Sequence, residues 1–389
     1  MSLLETLTGI MNDLPKSLKI KKEHGSKVVG YFCGFIPEEL ITAAGLIPLR
    51  LVSGSNPEAM RTGEEYIKSY SCPYVRTCIG NNVNAHPYYE LLDAICIACT
   101  CDGMKNLKDY WKRYFNTPVY IVDIPKTSNR FRTRKHAEKY FTTELKQLKQ
   151  NLEDISGNKI TDKKLIESIR FHNLIRSRIR SLYEYLNIDP SPISWSEILK
   201  ISHIGFLIDK VQFLNEVSRI LGGLTYKPET QKKIARARYG RPRLTLYGSV
   251  MTLEDTKVID IVEKAGGQIV GDALCTGSRF WRKDVALDRP VMDALVDRYL
   301  YNIPCAHMTD IMMRLNYAIA TARESEADGL IYYSLKACDT FRSEIRIFEK
   351  AIQKELGIPT LMIETEYSPA DIGTTRTKIE AFIEMLRGI

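Results

Sequence analysis

No apolar run in this chain approaches the roughly 20 residues that a membrane-spanning helix needs. Residues 1–22 carry no succession of basic charge, apolar stretch and small-residue cleavage site of the kind that marks a secretory leader. Both absences argue against a membrane or secreted protein, and the expectation is a cytoplasmic one. There is also no block of one-signed charge. Lys and Arg number 55 against 47 Asp and Glu, a formal excess of +8. Yet segments such as 135–149 and 159–180 interleave both signs, as solvated helix surfaces do, so nucleic-acid binding is not expected. An anionic ligand or an acidic protein partner suits the excess as well.

What is present is a chain of 389 residues, 44% hydrophobic and 26% charged, enough for two or three domains with real cores. Nine cysteines stand out. In a reducing compartment cysteines serve more often as metal ligands or catalytic groups than as disulfides. Cys33, Cys96 and Cys99 lie in apolar, strand-like runs and read as small buried residues. The other six, Cys72, Cys78, Cys101, Cys275, Cys305 and Cys338, lie in loop-like contexts.

Two stretches read as the same unit. Ala94-Ile95-Cys96-Ile97-Ala98-Cys99-Thr100-Cys101-Asp102 leads into a helix and then Pro118-Val119-Tyr120-Ile121-Val122-Asp123. Gly329-Leu330-Ile331-Tyr332-Tyr333-Ser334-Leu335-Lys336-Ala337-Cys338-Asp339 leads into another, then Pro359-Thr360-Leu361-Met362-Ile363-Glu364. Upstream of each is a second cysteine: 29 residues separate Cys72 from Cys101, and 33 separate Cys305 from Cys338. Each half also opens with strand, helix, strand. In the first half these are Lys27 to Phe32, a helix after Pro37, and Ile47 to Val52. In the second they are Arg243 to Gly248, a helix opened by Leu253-Glu254-Asp255, and Gln268 to Val270. The expected fold is therefore α/β, two parallel-sheet, Rossmann-like domains related by internal duplication, with a helical segment between them. The boundaries read as 1–127, 128–235 and 236–389, the middle region being a structural or dimerisation layer. Apolar residues there recur at helical spacing, broken at Asp189-Pro190-Ser191-Pro192, and Arg236 to Arg243 reads as the linker onward.

In open α/β sheets ligands bind beyond the carboxyl ends of the strands, where Cys101 and Cys338 are expected, each before a helix whose dipole favours a thiolate. Zinc sites usually show paired Cys or His spacings. The one such pair, Cys96-Ile97-Ala98-Cys99, lies in an apolar strand, and only His307 is near any candidate ligand. Thiolate-only ligation from scattered loops fits an iron–sulfur cluster better than zinc, and a metal-free protein stands as the third alternative.

At these residues the chain resembles the 2-hydroxyacyl-CoA dehydratase and benzoyl-CoA reductase family. The resemblance rests on Gly30-Tyr31-Phe32-Cys33 with Pro37-Glu38-Glu39-Leu40, on Ser71-Cys72-Pro73-Tyr74-Val75-Arg76, and on Thr100-Cys101-Asp102. It continues in Gly271-Asp272-Ala273-Leu274-Cys275-Thr276-Gly277-Ser278-Arg279 and Lys336-Ala337-Cys338-Asp339. It implies flavodoxin-like domains and a [4Fe–4S] cluster on Cys72, Cys101 and Cys338, charged with electrons by an ATP-hydrolysing [4Fe–4S] activator and acting on a CoA thioester. The three further cysteines, Cys78, Cys275 and Cys305, resemble the double-cubane branch: homodimers whose [8Fe–9S] cluster sits on six cysteines of one subunit and serves to reduce a small molecule. On that reading the six cluster ligands are Cys72, Cys78, Cys101, Cys275, Cys305 and Cys338. His307 is a candidate proton donor, and Arg76 and Arg279 are candidates to neutralise cluster or substrate charge. Glu38 and Glu39 are placed near the site by the family motif, although their sequence context is that of capping and surface acids. Trp281 and Tyr332 read as core.

Overall fold

The structure, a computed structural model, describes residues 3–126, 131–188, 191–224, 240–307 and 310–388. The expected break at Asp189-Pro190 and half of the expected linker, residues 236–239, lie outside them.

After helix α1 (Leu3–Glu23) the first half runs β1 (Val28–Tyr31), α2 (Glu38–Ala43), β2 (Ile47–Arg50), then α3 (Pro57–Glu64), α4 (Pro73–Val83) and α5 (Pro87–Glu90). It closes with β3 (Leu92–Cys99), α6 (Asp102–Tyr114) and β4 (Val119–Asp123). Four helices follow: α7 (Phe131–Ser156), α8 (Asp162–Glu184), α9 (Trp195–Leu207) and α10 (Lys210–Gly223). The second half repeats the order of the first with β5 (Arg243–Gly248), α11 (Lys257–Lys264), β6 (Gln268–Ala273), α12 (Ser278–Trp281), α13 (Val291–Tyr301) and α14 (Ile311–Glu324). It ends with β7 (Gly329–Leu335), α15 (Asp339–Leu356), β8 (Thr360–Thr365) and α16 (Ile372–Arg387).

The two sheets have the same strand order, β2-β1-β3-β4 and β6-β5-β7-β8, and every pairing is parallel. The order reverses beside the first strand of each half, as in doubly wound, flavodoxin-like folds. The central strands β1 and β7 are buried at every residue, whereas the edge strands β4 and β8 are only partly covered. That is why the central strands read as continuous apolar runs. One apolar core joins the halves: Leu49 and Ile95 of the first, Ile179 and Ile201 of the intervening helices, and Leu246 and Ile331 of the second belong to the same cluster.

One expected helix start was displaced. α11 begins at Lys257, not at Leu253. The acids that resembled a helix opening are taken by tertiary partners. Glu254 accepts from Ser53 Oγ (2.7 Å) and from the Gly54 and Ser55 backbone N–H groups, across the junction between the halves. Asp255 accepts from the Tyr333 hydroxyl. In the first half, α3 and α4 cross at backbone contact: a Cβ on Gly80 would lie 1.7 Å from Ala59 O, and one on Gly63 would lie 2.0 Å from Arg76 O. Only hydrogen fits at either position.

Candidate functional site

The carboxyl ends of both sheets face one cavity of about 240 Å3, walled by residues that follow β1, β3 and β4 on one side and β5, β6 and β7 on the other. Six cysteines line it: Cys33, Cys72, Cys101, Cys275, Cys305 and Cys338. Five of them are expected ligands; the sixth is not. Cys78, expected among the ligands, is absent from the wall, and Cys33, expected in the core, takes its place there.

Helix geometry accounts for Cys78. It lies six residues beyond Cys72, about 240° further around α4. Cys72 therefore caps the helix at the cavity while Cys78 turns into the core, 1% exposed, its thiol pushed up by burial, with Tyr89 and Tyr74 beside it. Cys33 became a wall residue because β1 ends at Tyr31. The apolar run continues one residue past the strand, to Phe32, so Cys33 lies beyond the strand end and not in its interior. The rule that placed Cys101, that ligands gather just past strand carboxyl ends, would have found it. Cys96 is wholly buried in the core and Cys99 is turned toward Asp123, as their strand context implies.

Three of the six thiols sit at helix N-caps: Cys72 on α4, Cys101 on α6 and Cys338 on α15. None closes a full capping hydrogen bond, but the neighbouring backbone N–H groups face each sulfur and offset part of the effect of burial. Burial still dominates. It pushes the Cys33, Cys72 and Cys101 thiols up and those of Cys305 and Cys338 up to about 12. These sulfurs hold protons in the metal-free chain, and a thiolate becomes stable only where a cation replaces the proton. Ala337, just before Cys338, holds a left-handed φ of 59°, a strained conformation for a residue with a Cβ that the surrounding fold must maintain.

The thiols fall into two neighbourhoods. The Cβ position of Gly103 lies 3.7 Å from both Cys101 Sγ and Cys72 Cβ, and Cys72 is also the thiol with the largest electrostatic effect on Cys101 and Cys338. Arg50 Nη2 lies 3.7 Å from Cys275 Sγ and 3.6 Å from the Cβ position of Gly34, beside Cys33, and Cys33 and Cys275 both act electrostatically on Cys305. Each neighbourhood draws two cysteines from one half and one from the other. Weaker interactions of Cys101 with Cys33 and of Cys338 with Cys305 link the two.

Two buried guanidinium groups complete the wall. Arg50 Nη1 donates to Cys275 O (3.0 Å) and Nη2 points to Cys275 Sγ (3.7 Å), with the group held 4.6 Å from the Phe206 ring centroid. Arg279 donates to Pro304 O (2.9 Å) and Gly248 O (2.5 Å). The Nε of each is buried without a partner, and among the described residues neither forms an ion pair with a carboxylate. Isolated buried cations are costly, so this wall suits an anionic occupant. His307 Nε2 lies 3.9 Å from Cys338 Sγ, and its Nδ1 is 3.0 Å from Thr340 Oγ1. Burial lowers this imidazole to about 4, which keeps it neutral.

Glu39 and Arg76 do not line the cavity. Glu39 is fully buried behind α2, paired with Arg176 of α8 and accepting from Tyr299 Oη (2.7 Å). Burial alone would raise its carboxyl, but Arg176, His172 and these hydrogen bonds hold it at about 2. Its neighbour Glu38 is likewise buried, 2.6 Å from Lys210 Nζ. The capping and surface reading of both acids is thus corrected, since cations on α8 and α10 draw them inward. Arg76 spans the two halves, pairing with Glu64 on one side and Glu366 (3.1 Å) on the other, and donates from Nε to Ser71 O (3.1 Å) beside Cys72. Trp281 stacks on Phe206 at 5.0 Å and Tyr332 is wholly buried, both in the core.

Among the described residues no three His, Cys, Asp or Glu side chains converge closely enough to hold a single metal ion. Six thiols spread around one cavity, with unpaired guanidinium groups behind them, match instead the donor set of a multi-metal, thiolate-ligated anionic cluster. No helix is long and apolar enough to cross a membrane among the described residues.

The chain is similar over most of its length to dehydratase and reductase subunits. The chain is 29% identical to YjiM of Escherichia coli (strain K12), named as a dehydratase subunit, over 94% of this chain and 93% of that one. It is 27% identical to the (R)-phenyllactyl-CoA dehydratase beta subunit of Clostridium sporogenes over 95% and 94% of the two chains. It is 26% identical to one of the benzoyl-CoA reductase subunits of Thauera aromatica over 80% and 79%. Residues 33–386 match the model of the 2-hydroxyglutaryl-CoA dehydratase D-component, and the chain belongs to that family.

Proposed function

We propose that this protein is an iron–sulfur reductase component that takes low-potential electrons from an ATP-hydrolysing [4Fe–4S] activator and uses them to reduce a small molecule. The observation that carries this reading is the ring of six thiols around one cavity between the two sheets. Cys33, Cys72, Cys101, Cys275, Cys305 and Cys338 are the residues that would hold a double-cubane [8Fe–9S] cluster, three thiols to each cubane. Such a cluster supplies low-potential electron storage, tuned by nearby charge, hydrogen bonds and solvent exposure.

The chain's own residues have distinct tasks in this scheme. The N-cap cysteines direct backbone N–H groups at sulfur. Phe32, Phe35, Phe280 and Phe341 wall the cavity and keep water from it. His307, neutral and 3.0 Å from Thr340 Oγ1, sets its Nε2 3.9 Å from the Cys338 sulfur. The protein acts as a homodimer in the cytoplasm on this reading, with the helical segment 128–235 as its structural or dimerisation layer between domains 1–127 and 236–389.

A second reading is favoured by the names of the relatives: a dehydratase or reductase subunit with one [4Fe–4S] cluster on Cys72, Cys101 and Cys338 that acts on a CoA thioester. Iron and acid-labile sulfide measured on anaerobically purified protein separate the two. About eight irons per chain support the double cubane, and about four support the second reading. Sedimentation of the same sample as a homodimer, without a related second subunit, accompanies the first outcome only.

A further inference from the structure

The two thiol neighbourhoods differ in the charge around them. Cys33, Cys275 and Cys305 stand against the two buried guanidinium groups: Arg50 touches Cys275 at both its carbonyl and its sulfur, and lies 3.6 Å from the Cβ position of Gly34, next to Cys33. Arg279 bonds to Pro304 O, next to Cys305. Neither positive charge is spent on a carboxylate among the described residues. The surroundings of Cys72, Cys101 and Cys338 are different. Arg76 is the nearby cation there, and Glu64 and Glu366 already neutralise it. Asp102 and Asp339 open the helices that Cys101 and Cys338 cap. Lys105 and Lys126 also border the cavity but are exposed, where water and salt screen them.

A buried positive charge beside a metal site stabilises its reduced form and raises its potential. We propose that Arg50 and Arg279 polarise the cavity, so that the half walled by Cys33, Cys275 and Cys305 is where an incoming electron settles. Neither arginine is a catalytic residue in this scheme; each acts through the charge it holds behind the sulfurs. In the transfer, one electron leaves an external low-potential iron–sulfur donor, which is oxidised by one unit. It is gained at this half, and no bond is made or broken. The inference rests on the six-thiol reading given above.

The test is a redox titration of the anaerobic protein followed by electron paramagnetic resonance, with iron counted in every sample. Four irons in the wild-type chain refute the six-thiol reading itself, before any variant is compared. With eight present, Arg50→Gln is expected to lower the ratio of reduced to oxidised centres at a fixed poise about tenfold for one couple, equivalent to 59 mV for one electron, while the other couple is unchanged. Arg50→Lys, which keeps the charge, restores the wild-type titration. An Arg50→Gln protein with full iron and unchanged couples overturns the inference. So does loss of iron from Arg50→Lys, since the arginine would then serve packing rather than charge. If Arg50→Gln fails to fold, Arg279→Gln carries the same expectation and the same refutation.

Discussion

Exchanging Cys33 and Cys78 between ligand and core roles yields a crossed prediction. Cys78 is 1% exposed inside α4. Truncating it to alanine removes one buried sulfur and leaves a void near Tyr74 and Tyr89. A cavity of that size costs about 1–2 kcal/mol, which in a chain of this length lowers Tm by a few degrees at most. Cys33 is only partly buried, on the cavity wall, with Thr100 Oγ1 3.6 Å away as a side-chain partner. Its truncation should cost the metal-free fold about 0.5 kcal/mol or less. The iron content should move the opposite way. On the six-thiol reading Cys33→Ala would remove one of three thiols for one cubane, and iron should fall from about eight to about four per chain, whereas Cys78→Ala should keep all of it. Iron assay and calorimetry of the metal-free forms, run on both variants, read the two axes separately. Full iron in Cys33→Ala, or half iron in Cys78→Ala, would refute the ligand assignment.

Three further outcomes follow from the packing. Arg76→Ala strips Glu64 of its cation and leaves Glu366 with Lys336 alone, and should destabilise the fold to urea by about 1–2 kcal/mol. Lost turnover with unchanged stability would instead return Arg76 to a role in chemistry. Gly80→Ala drives a Cβ into Ala59 O and should cost more than about 3 kcal/mol, because backbone rather than a side-chain tip must move; a melt within one degree of wild type would contradict the close crossing of α3 and α4. Asp255 is raised by burial from 3.8 to about 6, partly offset by the Tyr333 hydroxyl. With the folded value above the unfolded one, its contribution is complete below about pH 4 and is lost as pH rises through about 6. The difference amounts to about 3 kcal/mol. Asp255→Asn should flatten the stability profile over that window, and a profile parallel to wild type would show that Asp255 is not its source.

Much of the fold was legible because parallel strands announce themselves as buried apolar runs, and because the same order of elements occurs twice. Strand ends then placed Cys101 and Cys338, and loop context placed Cys72, Cys275 and Cys305, five of the six wall cysteines. The failures share a cause. Cys33 and Cys78 exchanged places, wall for core, because a single residue at a strand end, or two-thirds of a turn on a helix, decides which way a thiol faces. Glu38, Glu39 and Glu254 looked like surface or helix-opening acids because their partners, Lys210, Arg176 and the loop at Ser53, are remote in sequence. Arg50 carried no local signal at all. Its importance comes from meeting Cys275, 225 residues away.

The two-plus-one division of the thiols bears on how the protein matures. On the six-thiol reading proposed above, neither half offers a complete set of three thiols in either neighbourhood, so a half emerging alone from the ribosome would have nowhere to retain a finished cubane. Loading would wait until both sheets have docked, and each cubane would then tie residues more than 200 positions apart. Such late cross-links shrink the unfolded ensemble most when the loops they close are long. The holoprotein should therefore resist proteolysis between its halves far better than the freshly made chain, and metal supply would set the lifetime of the newly synthesised protein.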